Sequence, residues 1–279
     1  MSFISRDTLR DHTLHLLSKH DIQLDPSVDE QQLIDPGVIQ RFVEYADVQP
    51  DETVLEIGPG AGNITEALLE KAGYLICIEK SPKYLPVLRE RFSDIPNLKI
   101  IKGGALTTYL PTHDRLVSNL PYMIAEPLFQ RTLRFEFKSA TFIVPEGFAE
   151  LLQYEASNHR YTKLSYISQL FYDTQLHEHV PATAYLPEPN VSTAIISLRP
   201  RQLRCSVMGI MIELTQQGDK YTKNGLRKAL IRTDVCETKN QARGFIDDLD
   251  LDEGMQVTRV SRLSLLALQT LEEKIRDQI

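Results

Sequence analysis

The chain has 279 residues, 42% of them hydrophobic and 25% charged, with 13 Gly and 15 Pro. These globular proportions exclude a disordered, collagen-like or low-complexity protein, and no run of ~18 consecutive apolar residues supports a transmembrane helix. The net charge is −7, with 13 basic and 12 acidic side chains in residues 201–279 against 18 and 26 in residues 1–200, a balance that argues against a general nucleic-acid coat while leaving room for a local basic groove.

Leu9, Leu14, Leu16 and Leu17 among polar residues predict an amphipathic helix at about 5–19, followed by a loop with Asp25-Pro26. A second helix is expected from Pro36, with Asp35 as N-cap and Val38, Ile39, Phe42, Val43 and Ala46 on its apolar face. From residue 50 the pattern changes. Thr53–Ile57 is a short apolar run ending in glycines, a helix is expected at about 63–72, and Tyr74–Ile78 is the next strand. Further strands are expected at Leu98–Ile101, Arg115–Ser118, Ala140–Val144 and Ala194–Leu198, mostly separated by helical stretches. This alternation predicts an open α/β sheet, mainly parallel, with ligand at the carboxyl ends of its strands. Arg199-Pro-Arg-Gln202 is expected to be a hinge. After it only helical patterns follow, at about 204–216, 221–232, 238–248 and 261–275. The expected organisation is therefore an α/β domain over 1–200 and a small all-α domain over 201–279.

The sharpest local signal is Glu56-Ile-Gly58-Pro-Gly60-Ala-Gly62, after a strand and before a helix. Glycines at this spacing let the backbone turn close to a ligand. Glu79 ends the next strand 21 residues after Gly58, where an acid receives ribose hydroxyls. A dinucleotide fold prefers a third glycine one place later, to seat a pyrophosphate. Glu56 would repel a pyrophosphate but suits a cationic sulfonium ligand, so the pattern favours S-adenosylmethionine over NAD.

Asn119-Leu120-Pro121-Tyr122 follows a strand and belongs at the same sheet edge. Methylating an adenine amine needs no protein nucleophile, because a sulfonium is already electrophilic. It needs acceptors on the amine's N–H groups, and the Asn119 side-chain oxygen and the Leu120 carbonyl can serve. Pro121 stiffens the turn and has no N–H to compete, and Tyr122 can stack on an extruded base.

At this point the chain resembles the small-subunit rRNA adenine N6,N6-dimethyltransferase family, most of all its archaeal branch. The matching stretches are Leu33-Ile-Asp35, Val54–Gly60, Ile78-Glu79, Gly104-Ala-Leu106, Asn119–Tyr122, Phe148-Ala-Glu150, Arg160–Ser165 and the Pro-rich Val180–Ala194. Lys223–Leu230 and Arg259–Ser264 look like the family's helical domain. The resemblance implies a class I, Rossmann-like methyltransferase fold with a helical C-terminal domain for RNA recognition. It implies transfer of methyl groups from S-adenosylmethionine to two adjacent adenosines near the 3′ end of small-subunit rRNA, with the rRNA or a small-subunit precursor as partner; no membrane partner and a monomer are expected besides. Gln31, Leu33, Glu56, Gly58, Gly60, Glu79, Lys80, Gly104, Ala105 and Asn119 would border the cofactor, with Phe148 helping Asn119, Leu120, Pro121 and Tyr122 to hold the base.

The chain departs from that family in three places. Gly103-Gly104-Ala105-Leu106 stands where the family has Gly-Asp-Ala-Leu, and losing that acceptor for the cofactor's adenine amine costs ~1–2 kcal/mol, or about ten-fold in affinity. Glu30-Gln31-Gln32-Leu33 replaces Gln-(Asn/His)-Phe-Leu, and Val144-Pro145-Glu146-Gly147 replaces a stretch with a basic residue. Two other readings stay open at this point: an impaired paralogue that binds RNA or a ribosome precursor, and an adenine methyltransferase acting on large-subunit rRNA or DNA. DNA enzymes more often carry Asp/Asn-Pro-Pro-Tyr.

Lys220, Lys223, Arg227 and Lys228, with Arg232, fall on one predicted helix and suit RNA phosphates, or else form a solvated face. His177-x-His179 is read as exposed strand histidines, Asp247–Glu253 as a solvated loop, Cys77 as a buried strand residue, and no metal site is expected. Cys77, Cys205 and Cys236 cannot all pair and show no CxxC spacing. With no basic-then-apolar N-terminus, they predict a reduced cytoplasmic protein.

Overall fold

A computed structural model describes residues 5–25, 30–201 and 206–279, the last span by backbone alone at Ser206. Helix α1 (Arg6–Lys19) starts where Ser5 accepts a hydrogen bond from the Thr8 N–H at 3.2 Å. The two-residue strand β1 (Gln32–Leu33) follows. Helix α2 (Pro36–Ala46) is capped by Asp35, which accepts from the Val38 N–H at 3.0 Å, and buries Val38, Ile39, Phe42, Val43 and Ala46. The alternating part runs β2 (Thr53–Ile57), α3 (Asn63–Leu69), β3 (Tyr74–Glu79), α4 (Tyr84–Phe92), β4 (Leu98–Lys102), β5 (Arg115–Asn119), α5 (Ala125–Thr132) and β6 (Ser139–Pro145). Then come α6 (Glu146–Gln153), α7 (Lys163–Phe171), β7 (Tyr172–Val180), β8 (Tyr185–Leu186) and β9 (Thr193–Pro200).

Seven strands form one sheet in the order β4-β3-β2-β5-β6-β9-β7. It is parallel from β4 to β6, and β9 runs antiparallel to β6. After β2 the chain builds outward to β3 and β4, then returns to place β5 on β2's other side. That reversal opens a crevice at the carboxyl ends of β2 and β5, where an open α/β sheet binds its ligand. The α2 face packs with Val54, Leu75, Cys77, Val117 and Ile195 of the sheet in one core, while Leu16 and Leu17 of α1 pack on Ala61, Tyr84 and Val87.

The β7 strand is foreshadowed only by the strand spacing of His177 and His179, and its full span is not among the expected elements. Most of its side chains are half-exposed or exposed, so it shows no apolar alternation to read. β1 and β8 pair antiparallel over two residues each, too few for any periodicity. The amino ends of the strands bury charge: Arg115 donates to Glu52 through Nε at 2.8 Å and Nη2 at 3.2 Å, to Ser139 Oγ at 2.9 Å and to the Ala46 carbonyl at 3.2 Å.

The chain divides into two compact units, Met1–Glu150 with Thr174–Pro200, and Leu151–Asp173 with Arg201–Ile279. A single cut at 200–201 leaves α7 in the first unit. The structure groups it with the second, where Tyr166 donates to Glu272 at 2.8 Å. The rest of that unit is α8 (Ser206–Thr215), α9 (Thr222–Arg232), α10 (Lys239–Asp248), the short α11 (Glu253–Val257) and α12 (Leu265–Gln278), around buried Leu214, Leu226, Leu230, Ile246, Leu268 and Leu271. Asp247 and Asp248 close α10 and Asp252 caps α11, so that acidic stretch is not one loop. Arg199 and Pro200 complete β9 rather than forming a free hinge. Gln202, Cys205, Pro26 and the start of the helix expected from 204 lie outside the described residues. No helix among the described residues is long and apolar enough to cross a membrane.

Candidate active site

The turn after β2 passes through Gly58, Gly60 and Gly62 at φ +69°, +56° and +88°, a region that favours glycine. At Gly60 the need is also steric, because a Cβ would stand 2.5 Å from Gln32 Oε1. That oxygen accepts the Ala61 N–H at 2.8 Å, Glu79 Oε2 accepts the Gly60 N–H at 3.2 Å, and Arg91 of α4 donates to the Ala61 carbonyl and to Asn63 Oδ1. The turn is thus held from three sides. Glu79 Oε1 also accepts the Ser81 N–H at 2.6 Å. Burial pushes the Glu79 carboxyl above its ordinary value, and the N–H groups of Ser81, Gly60 and Lys80 pull it back.

A cavity of about 710 Å³ opens beside this turn, at the carboxyl ends of β2, β3 and β5, within the size range of small-ligand sites. Its walls bring together Gln31, Leu33, Gly58, Gly60, Glu79, Lys80, Gly104, Ala105, Asn119, Leu120, Pro121 and Tyr122. Asn119 is the last residue of β5, and the next N–H, that of Leu120, donates to the Ile143 carbonyl at 3.0 Å. This anchors the tetrapeptide to β6. Asn119 Oδ1 is buried and has no hydrogen-bond partner among the described residues, whereas buried acceptors are ordinarily satisfied. A glycine cradle and an orphaned acceptor on one cavity wall fit a ligand that supplies a donor.

Two expected site residues lie elsewhere. Glu56 does not face the cavity. It is buried beneath the turn, accepting from Thr65 Oγ1 at 2.7 Å and Cys77 Sγ at 3.3 Å, because side chains alternate along β2 and this one points toward α3. Phe148, on α6, is half-buried edge-to-face against Phe129 with ring centroids 6.2 Å apart, and is not among the cavity's walls.

Burial pushes the Glu56 carboxyl up to about 7, opposed by the hydrogen bonds from Thr65 and Cys77. The folded state therefore holds a proton that the unfolded chain releases near pH 4.3, so stability falls as pH rises from there through 7, by on the order of 3 kcal/mol. Glu56→Gln is expected to abolish that decline, as measured by urea unfolding at pH 5 and pH 8. An unchanged slope between the two would refute it.

Gln32, Arg91 and Tyr185 were not anticipated. Gln32 lies in the stretch that departs from the family pattern, and its polar side chain in an otherwise aromatic position was the available signal. Arg91 and Tyr185 carried none, since only folding brings α4 and β8 to the cavity and its turn. In the second unit, Lys220, Arg227 and Lys228 share a cleft with Arg232, but Lys223 does not line it and instead pairs with Asp247 at 3.6 Å. The two strand histidines differ from the exposed pair expected. His177 is half-buried, stacked on Tyr45 and 2.9 Å from Ser197 Oγ, while His179 is exposed and pairs with Glu146 at 3.2 Å. Among the described residues no three His, Cys, Asp or Glu side chains form a metal-binding group.

Residues 23–210 match the family model described as ribosomal RNA adenine dimethylase. A probable ribosomal RNA small subunit methyltransferase A of Methanosphaera stadtmanae is 35% identical over 192 residues, covering 68% of this chain and 71% of that protein. One from Methanosarcina acetivorans is 32% identical over 235 residues, covering 81% and 87%. Among solved structures, a dimethyladenosine transferase from Plasmodium falciparum aligns with TM-score 0.61 at 22% identity, over 88% of this chain and 97% of the other. The 23S rRNA methyltransferase ErmE aligns with TM-score 0.58 at 23% identity, over 88% and 99%. The two structural likenesses establish the class I methyltransferase fold. The sequence matches go further: the chain belongs to the ribosomal RNA adenine dimethylase family and is a methyltransferase acting on adenine in ribosomal RNA.

Proposed function

We propose that the 710 Å³ cavity binds S-adenosylmethionine and that the chain, as a monomer in the cytoplasm, dimethylates the N6 amines of two adjacent adenosines near the 3′ end of small-subunit rRNA. The observation that carries this reading is the buried, unpartnered Asn119 Oδ1 beside the glycine turn. Bound there, S-adenosylmethionine supplies an electrophilic methyl group on its sulfonium. Glu79 would hold the ribose hydroxyls, each of its oxygens having lone-pair capacity beyond one N–H bond. Gly58 and Gly60 let the backbone come close, and Gln32 and Arg91 keep their turn in shape. Asn119 accepts an N–H of the adenine amine and aims its lone pair, and Tyr122 supplies a face for the base. Catalysis on this account is mostly positioning. The test is transfer of radiolabelled methyl from S-adenosylmethionine to unmethylated small subunits. Labelled N6-methylated adenosine in the rRNA is the expected result, and cofactor binding without transfer would sink the proposal.

Gly104 makes a second test. A Cβ there would meet Thr107 Oγ1 at 3.2 Å and Lys80 carbons at 3.8 and 3.9 Å, so an Asp side chain fits after a small shift. Gly104→Asp is expected to tighten S-adenosylmethionine binding about ten-fold in calorimetry, by returning one acceptor to the cavity wall. Equal or weaker binding would refute the role given to this position.

A further inference from the structure

The second unit holds a cleft of about 510 Å³ lined by five cationic side chains, Lys220, Arg227, Lys228, Arg232 and Lys239, against one carboxylate, Asp219. In a chain of net charge −7, this is a concentration of positive charge that composition does not supply. Its cations are not equally occupied. Lys228 donates to the neutral Gln217 Oε1 at 3.1 Å and Arg232 pairs with Glu213 at 3.1 Å. Among the described residues, Lys220, Arg227 and Lys239 form no ion pair.

The same cleft presents Tyr221, which is 52% exposed. Its backbone is braced on both sides: the Val260 N–H donates to the Lys220 carbonyl at 2.9 Å, and Thr222 donates to the Thr258 carbonyl through both its N–H, at 2.8 Å, and its hydroxyl, at 2.9 Å. An exposed aromatic on a fixed backbone, ringed by unpaired cations, is the arrangement by which proteins hold single-stranded nucleic acid. The ring takes a base face and the cations take the phosphates. A duplex offers no free base face, since its bases stack on one another.

We propose that this cleft seats one unpaired nucleotide of the RNA, with its base against Tyr221 and its phosphate among Lys220, Arg227 and Lys239. This rests on the reading of the chain as an rRNA methyltransferase. It keeps Lys220, Arg227 and Lys228 of the expected basic set, leaves out Lys223, which is engaged by Asp247, and adds Tyr221 and Lys239.

The experiment titrates a short fluorescein-labelled oligouridylate, and an RNA duplex for comparison, with the full chain at several salt concentrations. Tyr221→Ala is expected to weaken single-strand binding by about 5–100-fold with an unchanged salt slope, Tyr221→Phe to bind like the parent, and duplex binding to be unaffected. Arg227→Ala and Lys239→Ala should each flatten the log–log salt slope by roughly 0.7. Tyr221→Ala binding the single strand like the parent, or losing duplex binding equally, overturns the proposal. Methyl transfer by the parent chain separates the two failures. A parent that transfers, with a silent Tyr221→Ala, leaves only the stacking site refuted, and a parent that never transfers refutes the enzymatic reading beneath it.

Discussion

Asn119→Ala is expected to lower methyl transfer by about 10²–10³-fold, the range seen when one preorganised polar contact to a reacting group is removed, while cofactor affinity stays within about two-fold by calorimetry. The amine of adenine is a weak nucleophile, since its lone pair is delocalised into the ring, and the buried Asn119 oxygen on the cavity wall has no hydrogen-bond partner among the described residues. Its loss removes orientation of the amine and leaves untouched the Glu79 carboxylate and the glycine turn that would carry the cofactor. The fall should appear in kcat rather than in the KM for cofactor. Turnover equal to the parent's would show that Asn119 is a strand-end residue with no part in transfer. Tyr122→Phe should be milder than Tyr122→Ala in the same assay, because the ring face remains.

Glu52→Ala is expected to destabilise the fold by about 3–5 kcal/mol, the cost of leaving a buried partner charge uncompensated. Arg115 is 9% exposed and Glu52 3%, and among the described residues the guanidinium meets no other buried carboxylate. Its contact with Asp47, at 3.8 Å, reaches an exposed side chain. Lys138 is less affected, since Asp114 remains 3.1 Å away. The pH dependence identifies the cause. Burial pushes the Glu52 carboxyl up, but hydrogen bonds from Arg115, the Gln49 N–H and Lys138 outweigh it and hold the group below the ordinary glutamate value. A carboxyl depressed in the folded state contributes stability that is present at neutral pH and is lost as pH falls below the carboxylate range. Urea unfolding of Glu52→Ala should therefore show a lower midpoint at pH 7 and a flatter acid limb than the parent. A loss of the same size at pH 7 and pH 3 would assign the effect to packing instead.

The sequence by itself determined the alternating α/β order of the central elements and the residues that turn out to line one cavity. Short apolar runs located β2, β3, β5 and β6, that of β2 ending in glycines, because strands buried on both faces read as continuous hydrophobic segments. Asp35-Pro36 marked the start of α2 through cap chemistry confined to a few adjacent residues. Gly58-Pro-Gly60 and Asn119–Tyr122 were legible for the same reason, since a turn that needs positive φ and a stiff polar tetrapeptide write their requirements locally. Tertiary structure alone decided what depends on residues far apart in the chain. The edge strand β7 needed a neighbour to become a strand, its half-exposed side chains giving no period. Leu151–Asp173 joined the helical unit through contacts such as Tyr166 with Glu272, over a hundred residues away. Glu56 and Glu79 read alike as acids near a glycine turn, yet Glu79 reached the cavity wall and Glu56 was buried beneath it, because the face a strand residue presents is set by the alternation of the whole strand against its neighbours. Gln32 holds the turn from 29 residues away and Arg91 from 30 and 28 residues away from the atoms they bond, and Tyr221 and Lys239 met in one cleft only when α9 packed beside α10. Contacts of that range have no signature in local composition, because what brings the partners together is burial of the apolar faces of separate elements.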